Sequence, residues 1–182
     1  MQFRVLAGSE VFDAALKSAR AVRAAPPLSE LAAPLDASVL AEIDETWEAI
    51  EEALRAGFRH GYDGGKVLLD AAWEKVNAVA AAAGRKASQV YDLLLTRTQQ
   101  FLATFINGAI SRLTAEHHIA GVSYRLSSIS CTQKIVLTGS LEAALTNAFA
   151  LSSSGEIEVT AEYARKPRQE ASEKGEPSPA AT

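Results

Sequence analysis

The spacing of the apolar residues changes once along this chain, at Gly121, and this change constrains the fold more than any other feature. Before Gly121 the apolar residues recur every three to four positions, which is the spacing of helices that bury one face. After it, Val122, Tyr124 and Leu126 alternate with polar residues, as in a half-buried strand. The sequence therefore predicts an α+β fold: an N-terminal helical bundle of three to four helices, one of them long, followed by a small mixed β-sheet with one crossover helix.

We assign the bundle to residues 1–120, with a short first strand over 2–6. Asp36 is the expected N-cap of a bundle helix with an apolar seam. The seam residues are Leu40, Ile43, Trp47, Ile50 and Leu54. The glycine-rich segment 57–66 predicts a turn to the next helix. A long helix, apolar on two sides, is expected over 87–118 and requires two sets of neighbours.

Residues 121–164 form the predicted sheet unit, packed on the bundle. The apolar alternation slips after Leu126, which predicts either a bulge or a turn. A strand over 134–138, a helix and a final strand over 156–163 predict a right-handed crossover and a parallel strand pair. Segment 165–182 lacks apolar residues other than alanine and is predicted to be a disordered tail.

The composition excludes several classes of function. Eighteen basic residues against 22 acidic ones give a net charge of −4, so there is no basic field to attract nucleic acid. The single cysteine, Cys131, rules out a disulfide within the chain and a cysteine-rich metal cluster. Neither a membrane-spanning stretch nor a secretory signal is recognisable, and we expect a cytoplasmic protein with no cofactor.

The acidic face of the helix after Asp36 carries carboxylates four residues apart, which raises the question of a metal site. Di-metal sites in helical bundles use Glu-x-x-His pairs, and this chain contains none. A solvated face or an electrostatic docking surface is therefore the preferred interpretation, and no metal site is assigned. The interface candidates are Asp44, Glu48 and Glu52 from this face and Leu95, Leu102 and Ile106 from the second side of the long helix.

Two segments have the chemistry of a ligand site. The first is the glycine-rich turn, whose candidate residues are Arg59, His60, Tyr62, Asp63 and Lys66, although a helix hairpin whose glycines supply positive φ is the preferred interpretation. The second is the turn at Gly139 and Ser140, which resembles the opening of a nucleotide-binding fold but lacks a second and third glycine. N-capping by Ser140 is the preferred interpretation there. His117 and His118 are expected at the end of the long helix, and no catalytic residue is assigned.

The favoured hypothesis for function is a non-enzymatic protein-protein interaction or assembly protein that acts through helical surfaces and self-associates. Its expected partner is another protein or a second copy of the chain, with no nucleic acid. One alternative is a membrane-acting effector that uses amphipathic helices, although the acidic surface does not favour membrane contact. The other alternative is a small nucleotide-binding or hydrolytic enzyme.

Overall fold

A computed structural model describes residues 1–21, 35–131 and 139–167. Within these ranges a layer of helices packs on one face of a four-stranded antiparallel sheet, which confirms the predicted α+β fold. The elements in chain order are β1 (Gln2–Leu6), α1 (Ser9–Ala21), α2 (Ala37–Ala83), α3 (Ala87–Ile110), β2 (Glu116–Ile119), β3 (Val122–Cys131), α4 (Leu141–Ser154) and β4 (Glu156–Arg165).

Helix α2 is a hairpin of two helical arms that meet at Gly61. The backbone of Gly61 has φ 75° and ψ −171°, a conformation open essentially only to glycine. A methyl group added to Gly65 would lie 2.6 Å from the backbone nitrogen of Gly57, whereas residues eight positions apart in one straight helix are separated by about 12 Å. The first arm (37–60) and the second arm (62–83) therefore fold back on each other. The predicted turn exists, but it is one residue long.

The helical core is built from the seam of the first arm and from α3. Ile43, Trp47, Ile50 and Leu54 are at most 1% exposed, as their spacing predicts. Phe12 of α1 packs edge-on against Phe101 and Phe105 of α3, with ring centroids 5.7 and 6.2 Å away. Full burial of one such side chain contributes about 1.5–3 kcal/mol, so these rings and seam residues supply much of the stability of the bundle.

Helix α3 ends at Ile110, so the prediction of a helix over 87–118 is wrong at its carboxyl end. Residues 116–119 form β2 instead, and His117 and His118 lie on this strand. Ala120 and Gly121 both have positive φ angles, 50° and 77°, as in the tight turns that join two antiparallel strands. The backbone of 116–119 thus finds its hydrogen-bond partners in β3 and not in another helical turn.

The sheet has the strand order β1-β4-β3-β2, and every pairing among the described strands is antiparallel. The parallel pair predicted between 134–138 and the final strand is not tested, because its first strand is not among the described residues. The strand predicted over 134–138 and residues 168–182 of the predicted tail lie outside the described residues. The pairing of β3 with β4 shifts register between Leu126 and Ser128, so the predicted irregularity is a bulge.

The sheet curls towards the helices. Phe3 on β1 and His117 on β2 belong to its two opposite edges, which three strand spacings would separate by about 14 Å in a flat sheet. Their ring centroids are only 6.5 Å apart. At one end of this inner face Val5, Ile157 and Val159 are buried in the same core cluster as the helices. The other end extends beyond the helical layer.

Candidate functional site

The uncovered end of the inner sheet face forms a hollow of about 600 Å³. It is lined mainly by apolar and aromatic side chains, and we call it the aromatic hollow. Its principal lining residues are Met1, Phe3, His117, Ile119, Tyr124 and Tyr163. A concave, mostly apolar surface with a few polar groups is the usual form of a binding site, which makes this hollow the candidate functional site.

Each strand of the sheet contributes one ring to the hollow. His117 pairs with Tyr124 across β2 and β3, and Leu126 pairs with Tyr163 across β3 and β4. Side chains two residues apart on a strand share a face, so these rings and Phe3 point to the same side. Phe3 meets Tyr163 edge-on at 5.9 Å, and His117 meets Tyr163 at 4.8 Å. The curl of the sheet therefore gathers residues that are far apart in the sequence.

A short chain of hydrogen bonds orients the ring of His117. The hydroxyl of Tyr163 lies 3.1 Å from the carbonyl oxygen of Thr114, to which it donates, and 3.2 Å from Nε2 of His117. A phenol has a single hydrogen to donate, so Nε2 must be the donor to Tyr163. This arrangement fixes the proton of a neutral His117 on Nε2. The other ring nitrogen, Nδ1, is then a hydrogen-bond acceptor.

Two exposed apolar side chains line the hollow: Met1 is 84% exposed and Ile119 is 61% exposed. Glu116, which alternates with His117 on β2 and does not line the hollow, accepts a hydrogen bond from Lys166. This hydrogen bond, together with the charge of Lys166, holds the pKa of Glu116 below its ordinary value. The ion pair ties the end of β4 to the outer edge strand β2.

The ligand candidates of the glycine-rich segment lie on the helical arms next to Gly61, away from the aromatic hollow. Arg59, His60, Tyr62 and Asp63 are exposed, and Lys66 is half-buried. Tyr62 places its ring against the edge of Phe149, with centroids 5.4 Å apart. Lys66 forms a hydrogen-bonded ion pair with Asp70, which raises the pKa of Lys66. These side chains lie on the surface at the tip of the hairpin and do not form a common binding site.

The turn at Gly139 and Ser140 acts as a helix start. The side chain of Ser140 accepts a hydrogen bond from the backbone N–H of Ala143 at 3.3 Å, which confirms the predicted N-cap of α4. Glu142 occupies the first turn, where an anionic ligand would have to approach. Neither Gly139 nor Ser140 borders the aromatic hollow.

The acidic residues proposed as an interface take part in ion pairs with neighbouring helices. Asp44 accepts a hydrogen bond from Arg97 of α3, and Glu48 lies 4.0 Å from Arg20 of α1. Glu52 is exposed. The sequence reasoning missed Glu51, whose side chain is only 8% exposed and accepts hydrogen bonds from Arg20 and Arg55. Asp44, Glu48 and Glu51 of this acidic face therefore form ion pairs that join helices.

Arg55 extends the same network to α1. It donates a hydrogen bond to Asp13 at 2.7 Å, and this bond is the main reason why the pKa of Arg55 is raised. Side chains from α1 and from the first arm of α2 thus meet around the buried carboxylate of Glu51. A single deletion in such a network leaves a buried charge without its partner.

The apolar interface candidates are covered to different degrees. Leu102 is completely buried, so it cannot contact a partner while the bundle is folded. Leu95 and Ile106 are half-buried and pack against the core. The two apolar sides of α3 pack against other helices of the same molecule, mainly α1, α2 and α4.

The rings of the hollow were not identified from the sequence as a site. Tyr124 and Tyr163 were recognised only as inward-facing strand positions, and His117 was placed on a helix. The available signal was that several short strands carry an aromatic residue at a position that alternation assigns to the inner face. This signal gains meaning only when the order and the curl of the strands are known.

Among residues 1–21, 35–131 and 139–167, no group of three or more histidine, cysteine or acidic side chains is placed to hold a metal ion. None of the helices in these ranges has the length and apolar character needed to cross a bilayer. Cys131 is half-buried at the end of β3, with Sγ 3.7 Å from the carbonyl oxygen of Glu158. No family model, curated protein or solved structure matches the chain.

Proposed function

We propose that this protein is a non-enzymatic assembly protein that binds a second copy of itself through the rim of the aromatic hollow. The observation that carries the proposal is the position of two exposed apolar side chains, Met1 and Ile119, beside an open apolar hollow on the same surface. A two-fold interface requires one surface that is complementary to itself. A protruding side chain next to a hollow that can receive it has this property.

The edge of the sheet supports the same partner. Strand β2 pairs with β3 on one side and has no strand on its other side among the described residues. An edge strand offers unpaired backbone N–H and C=O groups to another chain. Pairing of β2 with the β2 strand of a second copy would extend the sheet and bring the two hollows together. Ile119, the last residue of β2, would then lie inside the contact.

A second surface, on the helices, is an alternative site for self-association. Tyr62, Val67 and Leu68 near the tip of the α2 hairpin are 54%, 74% and 36% exposed. Clustered exposed apolar side chains of this kind are common at protein interfaces. Self-association through these residues is the alternative form of the proposal, and it uses a different face of the molecule.

The test measures the oligomeric state of the full chain by sedimentation velocity over a range of concentrations. We expect a concentration-dependent dimer, and we expect Ile119→Asp to weaken it at least tenfold because a charge would be buried in the contact. Leu6→Asp is the matched control, since Leu6 is 64% exposed on the same sheet but does not line the hollow. Circular dichroism establishes that each variant is folded.

A third variant, Val67→Asp, separates the two surfaces. If it abolishes the dimer while Ile119→Asp does not, assembly uses the helical hairpin and the proposal for the hollow is wrong. A strictly monomeric protein at every concentration would overturn self-association by either surface.

A further inference from the structure

The two arms of helix α2 are joined by a single hinge residue. Gly61 is the one residue of Ala37–Ala83 whose backbone angles are not helical, with φ 75° and ψ −171°. A change of φ and ψ at this residue alone would therefore join the arms into one straight helix. A helix of 47 residues would be about 70 Å long. The closed hairpin and the straight helix thus differ at one hinge.

The closed hinge is short and tightly folded. Its backbone conformation at Gly61 is one that side chains with a Cβ rarely adopt. A Cβ added to Gly64 would lie only 2.5 Å from the Cβ of His60. In a straight helix, Cβ atoms four residues apart are about 5–6 Å from each other, so opening the hinge would remove this clash. Short hinges under strain favour the exchange of segments between two copies of a chain.

The two halves of the chain that meet at the hinge share one core. The first half contains β1, α1 and the first arm, and the second half contains the second arm, α3, α4 and the other strands. Phe12 packs on Phe101 and Phe105, and β1 pairs with β4, so these contacts join one half to the other. All of them would be kept if the first half packed on the second half of another copy. Opening the hinge therefore exposes a core surface that a second copy of this chain fits.

The contact between the arms fits a two-fold arrangement of two straight helices. In the hairpin, a Cβ added to Gly65 would lie 2.6 Å from the backbone nitrogen of Gly57. These two glycines lie four residues after and four residues before Gly61. A two-fold axis at Gly61, between antiparallel helices, would place Gly57 of one copy beside Gly65 of the other. Residues four apart share one face of a straight helix, so all three glycines would face the second copy. The contact that closes the hairpin then recurs between the copies.

We infer that Gly61 is the hinge of a domain-swapped dimer. In this dimer α2 is one straight helix, and the first half of each copy packs on the second half of the other. Dilute protein keeps the hairpin, because closure within one chain needs no partner and the four glycines of segment 57–66 disfavour a straight helix. The dimer forms when chains fold at high concentration. It does not use the aromatic hollow, so this inference is independent of the proposed function.

The test refolds the full chain from urea at low and at high concentration and measures the dimer fraction by sedimentation velocity after dilution. Every chain carries Ile119→Asp, which removes self-association through the hollow. We expect Gly61→Ala to raise the dimer fraction at least tenfold over this parent chain, because alanine resists a positive φ and favours a straight helix. Gly64→Ala is expected to act in the same direction. Gly121→Ala is the matched control, with φ 77° and no described atom within 4 Å of an added Cβ.

A distance within one chain identifies the form of the dimer. Spin labels are attached at Glu45→Cys and Lys75→Cys, two exposed positions on the two arms, in a chain that also carries Cys131→Ser. Doubly labelled chains are refolded with an excess of unlabelled chains, so that only distances within one chain are measured. We expect about 45 Å in the dimer, the length of the helix from residue 45 to residue 75. The monomer should show the much shorter distance between two packed arms.

Three results would overturn the inference. The first is that Gly61→Ala and Gly64→Ala fold but remain monomeric at every concentration. The second is a dimer fraction no higher than that of the Gly121→Ala control, and the third is a label distance in the dimer equal to that of the monomer. If neither alanine variant folds, the labelled parent chain refolded at the highest concentration decides, and a purely monomeric parent overturns the inference.

Discussion

The inner face of the sheet has two ends with different surroundings. At one end Val5, Ile157 and Val159 are covered by helices and are at most 6% exposed. At the other end Phe3 and Tyr163 on the same strands remain half-buried around an open hollow. The strands are continuous, so the difference arises from the helical layer. Helix α3 ends at Ile110, and the chain that would have covered the outer end instead supplies the edge strand β2.

An apolar sheet surface can therefore stay open simply because the helix packed beside it ends, as α3 does at Ile110. The residues of the hollow are ordinary inward-facing strand residues. They become a site because no helix of the described part of the chain lies above them.

We expect the largest change in the free energy of unfolding when a ring of the helical core is removed, and a much smaller change when a ring of the aromatic hollow is removed. Phe105→Ala should lower the free energy of unfolding by about 3–5 kcal/mol, because Phe105 is completely buried beside Phe12 and Phe101. Phe3→Ala should cost about 1 kcal/mol, because the half-buried ring loses less apolar contact. Urea denaturation of dilute protein measures both values. Equal losses would show that the hollow belongs to the same tightly packed core, and the comparison would fail.

The next effect compares two glycines with positive φ. Gly61→Ala should lower the free energy of unfolding by about 1–3 kcal/mol, since φ 75° with ψ −171° strains any side chain with a Cβ. Gly121→Ala, in the turn between β2 and β3, should act mainly on the local opening of β2. Hydrogen exchange resolved by residue distinguishes global from local effects. Faster exchange throughout α3 in the Gly121 variant would contradict the separation of the two regions.

The smallest expected change in stability concerns the ion pair between Lys166 and Glu116 of the edge strand β2. The pKa of Glu116 is lowered by Lys166, so this pair stabilises the folded state above the unfolded-state pKa of the carboxyl group, ordinarily 4.5. The contribution disappears as the pH falls through the lower folded-state pKa. Lys166→Gln should move the pKa of Glu116 back towards its ordinary value, which a carbon-13 NMR titration of the carboxyl group measures. An unchanged pKa would mean that Lys166 does not hold the edge strand.

Much of the bundle was predictable because its signals are local. The seam of the first arm and the start of each capped helix depend on residues a few positions apart. Ser140 caps α4 with its side chain, whereas Asp36 occupies the N-cap position of α2 without a side-chain hydrogen bond, and the seam residue Leu40 is 38% exposed. The bulge after Leu126 was visible as a slip in alternation. The glycine-rich turn was located correctly, but its length was not. Gly57 and Gly65 serve the close approach of the two arms, and single-sequence patterns do not distinguish such glycines from loop glycines.

The end of α3 and the aromatic hollow could not be predicted for a different reason. Neither glycine nor proline interrupts residues 111–119, and Leu113 continues the helical spacing, so the short strand β2 leaves no pattern of its own. Its formation depends on pairing with β3. The hollow depends on four strands whose order is set by tertiary structure. Trp47 was correctly placed in the core, where its side chain is 1% exposed.

The one-residue turn at Gly61 also has a kinetic consequence. Contacts between residues as close in sequence as Gly57 and Gly65 form early, because closing a loop of about ten residues takes on the order of 10–100 ns. Strand β1, in contrast, pairs with β4 at the opposite end of the described chain, where Phe3 lies opposite Val159. During synthesis β1 must wait until β4 has emerged before the two strands can pair. The helical hairpin is therefore among the first parts of the protein to form, and the aromatic hollow is among the last.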